Sequence, residues 1–280
     1  MRTVTFPSQQ QEAVLREQAQ LLRAAYALFP EVPLEPHHPK KQSTWQTLKG
    51  FFEIALESLP SEFDWRDHVA VPPVKYQGGC NSCTSFAAAA AIEIETLIAN
   101  GGVAPDVSAQ HMHTCIVHRG EENGAEICSF GIEPRLLLML LKEVGYAVSQ
   151  SDAAPFPPST CPAVDINSVL RDFTQITASA ARSCITKGPI VTDMYIWDDF
   201  FDYSTNRSQA YSPDMTLGVP KLHAVCVVGY TPDGWTIKNS LGPNWGDGTG
   251  FATIKKGACG LLTDSPPPGR AKRPAYTVQV

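Results

Sequence analysis

The sequence predicts an α+β fold in which a helical half precedes a half built from antiparallel strands. Residues 83–100 contain a run of five alanines, which favours a closely packed helix. Residues 190–192, 224–230, 235–238 and 251–255 are rich in β-branched and aromatic residues and are separated by turn residues. The Pro- and Ser-rich stretch 154–162 lies between the two kinds of segment. These observations indicate two subdomains, at about 59–165 and 166–280, with a cleft between them.

Residues 1–58 are predicted to form a helical extension in front of this body. Ser8 and Gln11 have the spacing of a capping box, and Pro30 ends the stripe that follows. A second helix is expected at about 44–57. Neither helix can bury its apolar stripe alone, so both are expected to dock on the body. The two stripes consist of Leu15, Ala19, Leu22, Tyr26 and Phe29, and of Trp45, Leu48, Phe52, Ala55 and Leu59.

Three further elements are predicted within the body. The alanine-rich helix is expected to begin at Cys83, directly after the turn that contains Gly78 and Gly79. A second helix is expected over 132–144, with Pro134 tolerated in its first turn. Residues 231–234 are predicted to form a turn in which proline presets φ and Gly234 adopts a positive φ.

Composition and charge exclude several classes of function. The chain has 280 residues, of which 43% are apolar, so it can bury a substantial core. Its net charge of −6 comes from interleaved acids and bases, so no basic surface indicates nucleic-acid binding. The aliphatic run 136–141 is too short to cross a membrane. The first residues lack the layout of a secretory signal, which favours a cytoplasmic protein or export by a non-classical route.

Four residues far apart in the chain offer the groups needed for nucleophilic catalysis. Cys83 is expected at a helix N-terminus, where the helix dipole favours the thiolate. His223 lies 140 residues later and Asn239 another 16 residues on, a spacing typical of a cysteine nucleophile with its partners. Asn239 can orient the imidazole, and the side-chain amide of Gln77 can stabilise an oxyanion. Each residue alone fits a structural role, so the prediction depends on the combination.

These residues resemble the papain family of cysteine peptidases, the cathepsin type. The resemblance extends from Leu59 to about Asp264, and its motifs lie at 63–66, 73–77, 106–110, 238–242, 245–248 and 259–261. It implies a papain-like fold with a β-barrel-like second half. It also implies that Cys83 is the nucleophile, His223 the acid/base, Asn239 the orienting residue and Gln77 the oxyanion donor.

The resemblance further implies disulfides and a substrate-binding surface. It pairs Cys80 with Cys128 and Cys115 with Cys161, and these bonds favour an oxidising compartment. Cys184, Cys226 and Cys259 are then expected to be reduced, with Cys226 buried. The residues expected to bind substrate are Gly131, Asp193, Ala224, Trp245 and Asp264.

The sequence departs from the family pattern around the active site. Thr84 and Leu241 replace two indole side chains, Asn81 replaces a glycine between the cysteines, and only Gly131 remains of a glycine-rich stretch. The resemblance implies that Asp193 and Asp264 stand at positions that line the pocket for the second residue before the scissile bond. Two carboxylates there predict a preference for Arg or Lys, unless one or both face solvent.

The resemblance leaves three functions to compare. The first is an endopeptidase that hydrolyses peptide or protein substrates, and the extension resembles an inhibitory propeptide in position and helix content. A permanent structural extension is the alternative for residues 1–58. The second function is an acyltransferase or amide-forming enzyme that uses the same thioester, and the third is a non-catalytic binding module. No cofactor or metal is expected, and His37, His38, His111 and His113 are interpreted as loop or helix-face residues exposed to solvent.

Overall fold

The structure, a computed structural model, describes residues 59–118, 127–144, 170–203 and 209–280. The predicted extension and its docking, the histidines at 37 and 38, the 154–162 stretch and Cys161 lie outside these residues. The helices are α1 (Cys83–Asn100), α2 (Ala109–His111, continued by a π-helical turn Met112–Val117), α3 (Pro134–Val144) and α4 (Ala181–Ile185). The strands are β1 (Phe63–Asp64), β2 (Asp172–Ile176), β3 (Ile190–Ile196), β4 (Lys221–Tyr230), β5 (Gly234–Lys238), β6 (Phe251–Lys255) and β7 (Ala275–Gln279).

Helix α1 is the central helix of the first half, and its bounds confirm the prediction. Twelve of its eighteen residues are buried, including all five alanines. Their small side chains let neighbouring elements approach the helix backbone closely. The helix ends at Gly101, whose φ of 65° suits a residue without a Cβ, and whose N–H donates to the carbonyl of Leu97.

The second half is an antiparallel sheet with the strand order β2-β7-β3-β4-β5-β6, and β1 pairs with β4. The strands predicted from sequence are all present. Among the described strands, β2 and β6 stand at opposite ends of this order, so the sheet is open. The second half is therefore the expected antiparallel sheet, and it is not a closed barrel. The central strands β3 and β4 are buried on both faces, since alternate residues enter two different apolar clusters.

Gly234 shows why a glycine is needed in the turn between β4 and β5. Thr231 N–H donates to the carbonyl of Gly234, which closes the predicted turn. Gly234 does not have the positive φ that was expected. A Cβ at this position would lie 2.1 Å from the carbonyl oxygen of Ile254, so the constraint is the close approach of β6.

Glu93 of α1 forms a buried ion cluster that connects the helical half to the sheet. Its carboxylate contacts Lys75 at 2.6 Å and Lys238, the last residue of β5, at 3.6 Å. Glu93 and Lys238 have exposed side-chain fractions of only 1% and 3%. Glu93 also accepts the backbone N–H of Val107. The cluster therefore fixes α1, the segment before it and β5 relative to one another.

The predictions for the cysteines agree with the structure where they can be compared, but those for two histidines do not. Cys80 and Cys128 form the predicted disulfide, while Cys184, Cys226 and Cys259 are free thiols, with Cys226 buried. Cys115 is disulfide-bonded, and its expected partner Cys161 lies outside the described residues. His111 and His113 are buried, so the expectation of solvent-exposed positions is wrong. The ring of His113 instead contacts the carbonyl of Ile127 at 3.0 Å.

None of the helices within the described residues has the length and apolar character that crossing a membrane requires.

The Glu93 cluster predicts a large stability effect from a small change. Replacing Glu93 with Gln leaves the buried ammonium of Lys238 without a counter-charge, and we expect the free energy of unfolding to fall by about 3–5 kcal/mol. Chemical denaturation measures this loss.

Asp264→Asn is the matched control, because it breaks the ion pair of Asp264 with Lys272, in which both side chains are more than half exposed. We expect that variant to lose less than about 1 kcal/mol. Equal losses for the two variants would contradict the structural role assigned to Glu93.

Candidate active site

The sulfur of Cys83 lies where the helical half meets the sheet. Cys83 is the first residue of α1, and Ser82 is the N-cap. The first N–H groups of a helix have no partner within the helix, so this end carries partial positive charge. The backbone N–H of Ala224 in β4 points at Sγ from the opposite wall, at 3.5 Å. Residues 141 positions apart thus form the two sides of one site.

His223 and Asn239 are held together on the sheet side of the site. His223 lies near the start of β4, and Asn239 directly follows β5. His223 Nε2 lies 2.7 Å from Asn239 Oδ1. The same oxygen accepts the backbone N–H of Ser240 at 2.8 Å, which identifies it as the amide oxygen. Nε2 therefore carries the hydrogen of this bond, and Nδ1 is left for the sulfur.

Aromatic side chains cover the imidazole from behind. The ring centroid of Phe200 lies 5.6 Å from that of His223 and 4.8 Å from that of Trp245. Trp245 is buried, and its indole N–H donates to the carbonyl of Phe200 at 2.8 Å. Trp245, which was expected to bind substrate, packs against Phe200. This apolar wall keeps water away from the bond between His223 and Asn239.

The environment favours a charged thiolate–imidazolium pair. Burial by itself raises the pKa of the Cys83 thiol. Hydrogen bonding and charge attraction from His223 lower it, as do the hydrogen bonds from the Ala224 N–H and from Thr84. Together these interactions outweigh burial, so the pKa is lowered overall. Burial lowers the pKa of His223, but Cys83 and Asn239 outweigh that effect and raise it. Each group therefore favours the charged form of the other.

Gln77 contacts the loop that leads to Cys83, and two hydrogen bonds orient its amide. Its Oε1 accepts a hydrogen bond from the hydroxyl of Ser240 at 2.5 Å. Its Nε2 donates one hydrogen to the carbonyl of Cys80 at 2.8 Å, and a carboxamide nitrogen has a second hydrogen to offer. The Gln77 amide is thus oriented in part by Ser240, a residue that the sequence analysis did not single out.

The helical wall next to Cys83 is built around the disulfide. Cys80–Cys128 brings Asn81 against residues 128–131, where its N–H donates to the carbonyl of Cys128 and its side-chain amide to that of Ser129. A Cβ on Gly131 would lie 3.1 Å from the carbonyl of Asn81, so this close approach favours glycine. Thr84, which stands where an indole was expected, donates its hydroxyl to the carbonyl of Ile132 at 2.6 Å.

Asp193 and Asp264, which were predicted to attract a basic substrate side chain, are both ion-paired. Asp193 is buried and receives two hydrogen bonds from the guanidinium of Arg273, with Nε 2.7 Å from Oδ1. Asp264 is largely exposed and pairs with Lys272. Asp193 does lie beside the site, directly across from Ala224 in the β3–β4 register.

Sequence reasoning missed three residues that shape the site. Ser240 follows Asn239 directly, so the sequence indicates that it lies near the site. Its hydrogen bond to Gln77 could not be predicted, because the two residues are far apart in the chain. Phe200 and Arg273 carry no local signal, because only the packing of the sheet brings them to His223 and Asp193.

Comparison with known proteins gives a consistent match. A family model described as papain family cysteine protease matches residues 59–266. Cysteine proteinase 1 of Dictyostelium discoideum is 28% identical over 235 residues, which cover 74% of this chain and 64% of that protein. Cysteine protease Amb a 11.0101 of Ambrosia artemisiifolia is also 28% identical over 235 residues, covering 78% and 57%. The chain thus spans less than two thirds of the length of either relative.

Solved structures share the fold. The bromelain protease from Ananas comosus, in complex with the E64 inhibitor, superposes with a TM-score of 0.61 at 23% identity, covering 79% of this chain and all of that one. The Carica candamarcensis cysteine protease CMS1MS2, in complex with E-64, gives 0.59 at 24% identity, covering 79% and 99%. These likenesses confirm the predicted papain-like fold of a helical half and an antiparallel sheet half.

The geometry predicts an unusual pH dependence for the reactivity of Cys83. Because its pKa is lowered, Cys83 should react with iodoacetamide at a pH well below that at which the half-buried thiol of Cys184 reacts, whose pKa burial raises. Peptide mass spectrometry measures both rates in one sample.

The variant His223→Asn tests the cause of this reactivity. Without the imidazolium, the effect of burial on the pKa of Cys83 is no longer outweighed, and that pKa should rise. The pH at which alkylation of Cys83 is half-maximal should therefore rise as well. An unchanged profile in this variant would show that His223 does not ionise the thiol.

Proposed function

Because this chain belongs to the papain family of cysteine proteases, we propose that it is a cysteine-type endopeptidase that hydrolyses peptide bonds through a thioester intermediate. One observation carries the proposal. The ring of His223, oriented by Asn239, shares a site with Cys83 at the start of a buried helix, and each of the two titrating groups favours the charged form of the other. The substrate is a peptide or protein.

In the first step, the Cys83 thiolate attacks the carbonyl carbon of the scissile peptide bond. The C–S bond forms while the π electrons of the carbonyl move onto oxygen. That oxyanion lies near the backbone N–H of Cys83 and the free hydrogen of Gln77 Nε2. Ser240 contributes by fixing the Gln77 amide before substrate arrives, so no reorientation is needed during the reaction.

His223 then supplies the proton that expels the amine. Its Nδ1 proton moves to the leaving nitrogen as the C–N bond breaks, which leaves an acyl thioester on Cys83 and a neutral imidazole. In the second step the imidazole accepts a proton from water, and the resulting hydroxide attacks the thioester. Cys83 departs as thiolate, and the imidazolium returns. Asn239 keeps the ring in one orientation throughout both steps.

The activity is tested with the full chain and its Cys83→Ala variant. We expect the native chain, once cut between residues 58 and 59, to cleave internal bonds of unfolded protein substrates, and the variant treated in the same way to lose at least about 10³-fold in kcat/KM. An epoxysuccinyl inhibitor such as E-64, which both solved relatives hold, should add its mass to the peptide that contains Cys83.

Added amines distinguish hydrolysis from acyl transfer. If cleavage products carry the amine in preference to a free carboxylate at millimolar amine concentration, the enzyme is an acyltransferase and not a peptidase. If Cys83→Ala retains the cleavage, Cys83 is not the nucleophile.

We also propose that residues 1–58 act as an inhibitory propeptide on the catalytic domain of residues 59–280. The support is the predicted pair of amphipathic helices, which need an apolar surface to cover their stripes. A recognition sequence for a specific protease, inserted between residues 58 and 59, allows the extension to be released from the folded chain. We expect E-64 to label Cys83 at least about tenfold faster after the cut. Equal labelling rates before and after the cut would mean that the extension is not inhibitory.

A further inference from the structure

Two buried histidines contact each other in the π-helical turn that continues α2. The ring centroids of His113 and His118 are 4.7 Å apart, and both side chains are buried. The backbone N–H of His118 donates to the carbonyl of His113, which is the five-residue step of a π-helix. In an α-helix the neighbours on one face are three or four residues apart, so rings at this spacing would diverge. The π-helical turn therefore brings the pair together, and the mechanism proposed above does not use it.

One ring nitrogen of His113 is hydrogen-bonded and the other is not. Nε2 lies 3.0 Å from the carbonyl oxygen of Ile127, and because a carbonyl only accepts, Nε2 carries the hydrogen. Nδ1 is then the bare nitrogen of the neutral ring. It is shielded from solvent and has no hydrogen-bond partner among the residues that the structure describes. A proton taken up at Nδ1 would therefore create a buried positive charge without an acceptor.

The surroundings of His113 favour the neutral ring. Burial lowers its pKa from 6.5 to about 4, charge repulsion by His118 adds to this effect, and the hydrogen bond to Ile127 opposes it. Burial also lowers the pKa of His111, two residues earlier. In the described part of the chain, no carboxylate forms an ion pair with His113. The other titratable groups on the helices packed against α2 and its π-helical turn are Cys83, Glu93 and Glu95 on α1, and Arg135, Lys142 and Glu143 on α3.

The hydrogen bond from His113 ends on the segment that forms the helical wall beside the nucleophile. Ile127 directly precedes Cys128, which the disulfide joins to Cys80. The carbonyl of Cys128 accepts the backbone N–H of Asn81, two residues before the nucleophile. The ring of His113 therefore holds one end of residues 127–131, and the loop before α1 holds the next positions.

We propose that the His113–His118 pair is an acid-sensitive latch that holds residues 127–131 in place at neutral pH and releases them in acid. When Nδ1 of His113 takes up a proton from solvent, the charged ring leaves its buried position, and the bond from Nε2 to Ile127 breaks. The wall beside Cys83 then loosens, while the sheet that carries His223 stays folded. This inference concerns the fold and does not depend on the proposed peptidase activity.

Hydrogen–deuterium exchange of the full chain tests the latch at about pH 7 and about pH 4.5, with rates corrected for the intrinsic effect of pH. The opened ring binds its proton at the ordinary pKa of 6.5, so opening becomes more favourable as the pH falls below that value. We expect peptides that cover 112–118 and 127–131 to lose at least about tenfold in protection in acid, and β4 to change by less than about twofold. Equal protection of the two segments at both pH values, or an equal loss in β4, overturns the proposal.

Variants identify the titrating group. His113→Gln keeps an N–H donor for Ile127 but takes up no proton, so the two segments should keep their protection in acid. His68→Gln, which changes an exposed histidine, is the matched control and should behave like the native chain. A loss of protection that persists in His113→Gln overturns the proposal. If His113→Gln does not fold, His118→Gln replaces it. Removing the repelling ring should then reduce the loss at least about threefold, and an unchanged loss overturns the proposal.

Chemical denaturation gives an independent measurement. The stabilisation from neutral His113 is complete above pH 6.5 and is lost as the pH falls toward about 4, because the unfolded chain takes up the proton first. The unfolding constant of the native chain, divided by that of His113→Gln, should therefore rise about fiftyfold from about pH 7 to about pH 4.5. The same ratio for His68→Gln should change by less than about threefold. A ratio for His113→Gln that does not depend on pH overturns the proposal.

Discussion

A carboxylate in the middle of a buried helix holds the two halves of this molecule in register. Glu93 lies ten residues after Cys83 on α1, and Lys238 directly precedes Asn239 on the sheet. Their contact, shielded from water on all sides, joins the element that carries the sulfur to the element that orients the imidazole. Burying these charges costs desolvation energy, which Lys75 and the Val107 N–H help to offset. The geometry between Cys83 and His223 therefore depends on an interaction outside the site.

The thiols of the described residues differ in pKa because of their surroundings. Burial raises the pKa of Cys226 and of Cys259 to about 12, and it also raises that of Cys184. Only beside Cys83 do a helix N-terminus, an imidazolium and the Ala224 N–H oppose burial and reverse its effect. Within the described residues, one free thiol thus has a lowered pKa and the other three have raised ones, with no difference in the amino acid itself.

The sequence was most informative where short-range rules apply. The alanine run, the strands and the spacing of Cys83, His223 and Asn239 follow from local propensity and from motif, and they predicted the fold and the core of the site. The open sheet could not be predicted, because strand order depends on long-range pairing. The ion pair of Asp193 could not be predicted for the same reason, since its partner Arg273 lies 80 residues further on. The burial of His111 and His113 was also missed, because a polar residue gives no local sign of facing a core.

The disulfide between Cys80 and Cys128 lies three residues from Cys83, and this proximity constrains how the protein can mature. A cell that makes this chain has to oxidise the pair Cys80 and Cys128 while sparing their neighbour Cys83, whose thiol pKa is lowered in the folded chain. A strong reductant in storage keeps that neighbour free but attacks the cross-link that shapes its wall. The redox potential of the surroundings must therefore lie between two limits. At a lower potential the Cys80–Cys128 disulfide is reduced, and at a higher one the Cys83 thiol is oxidised.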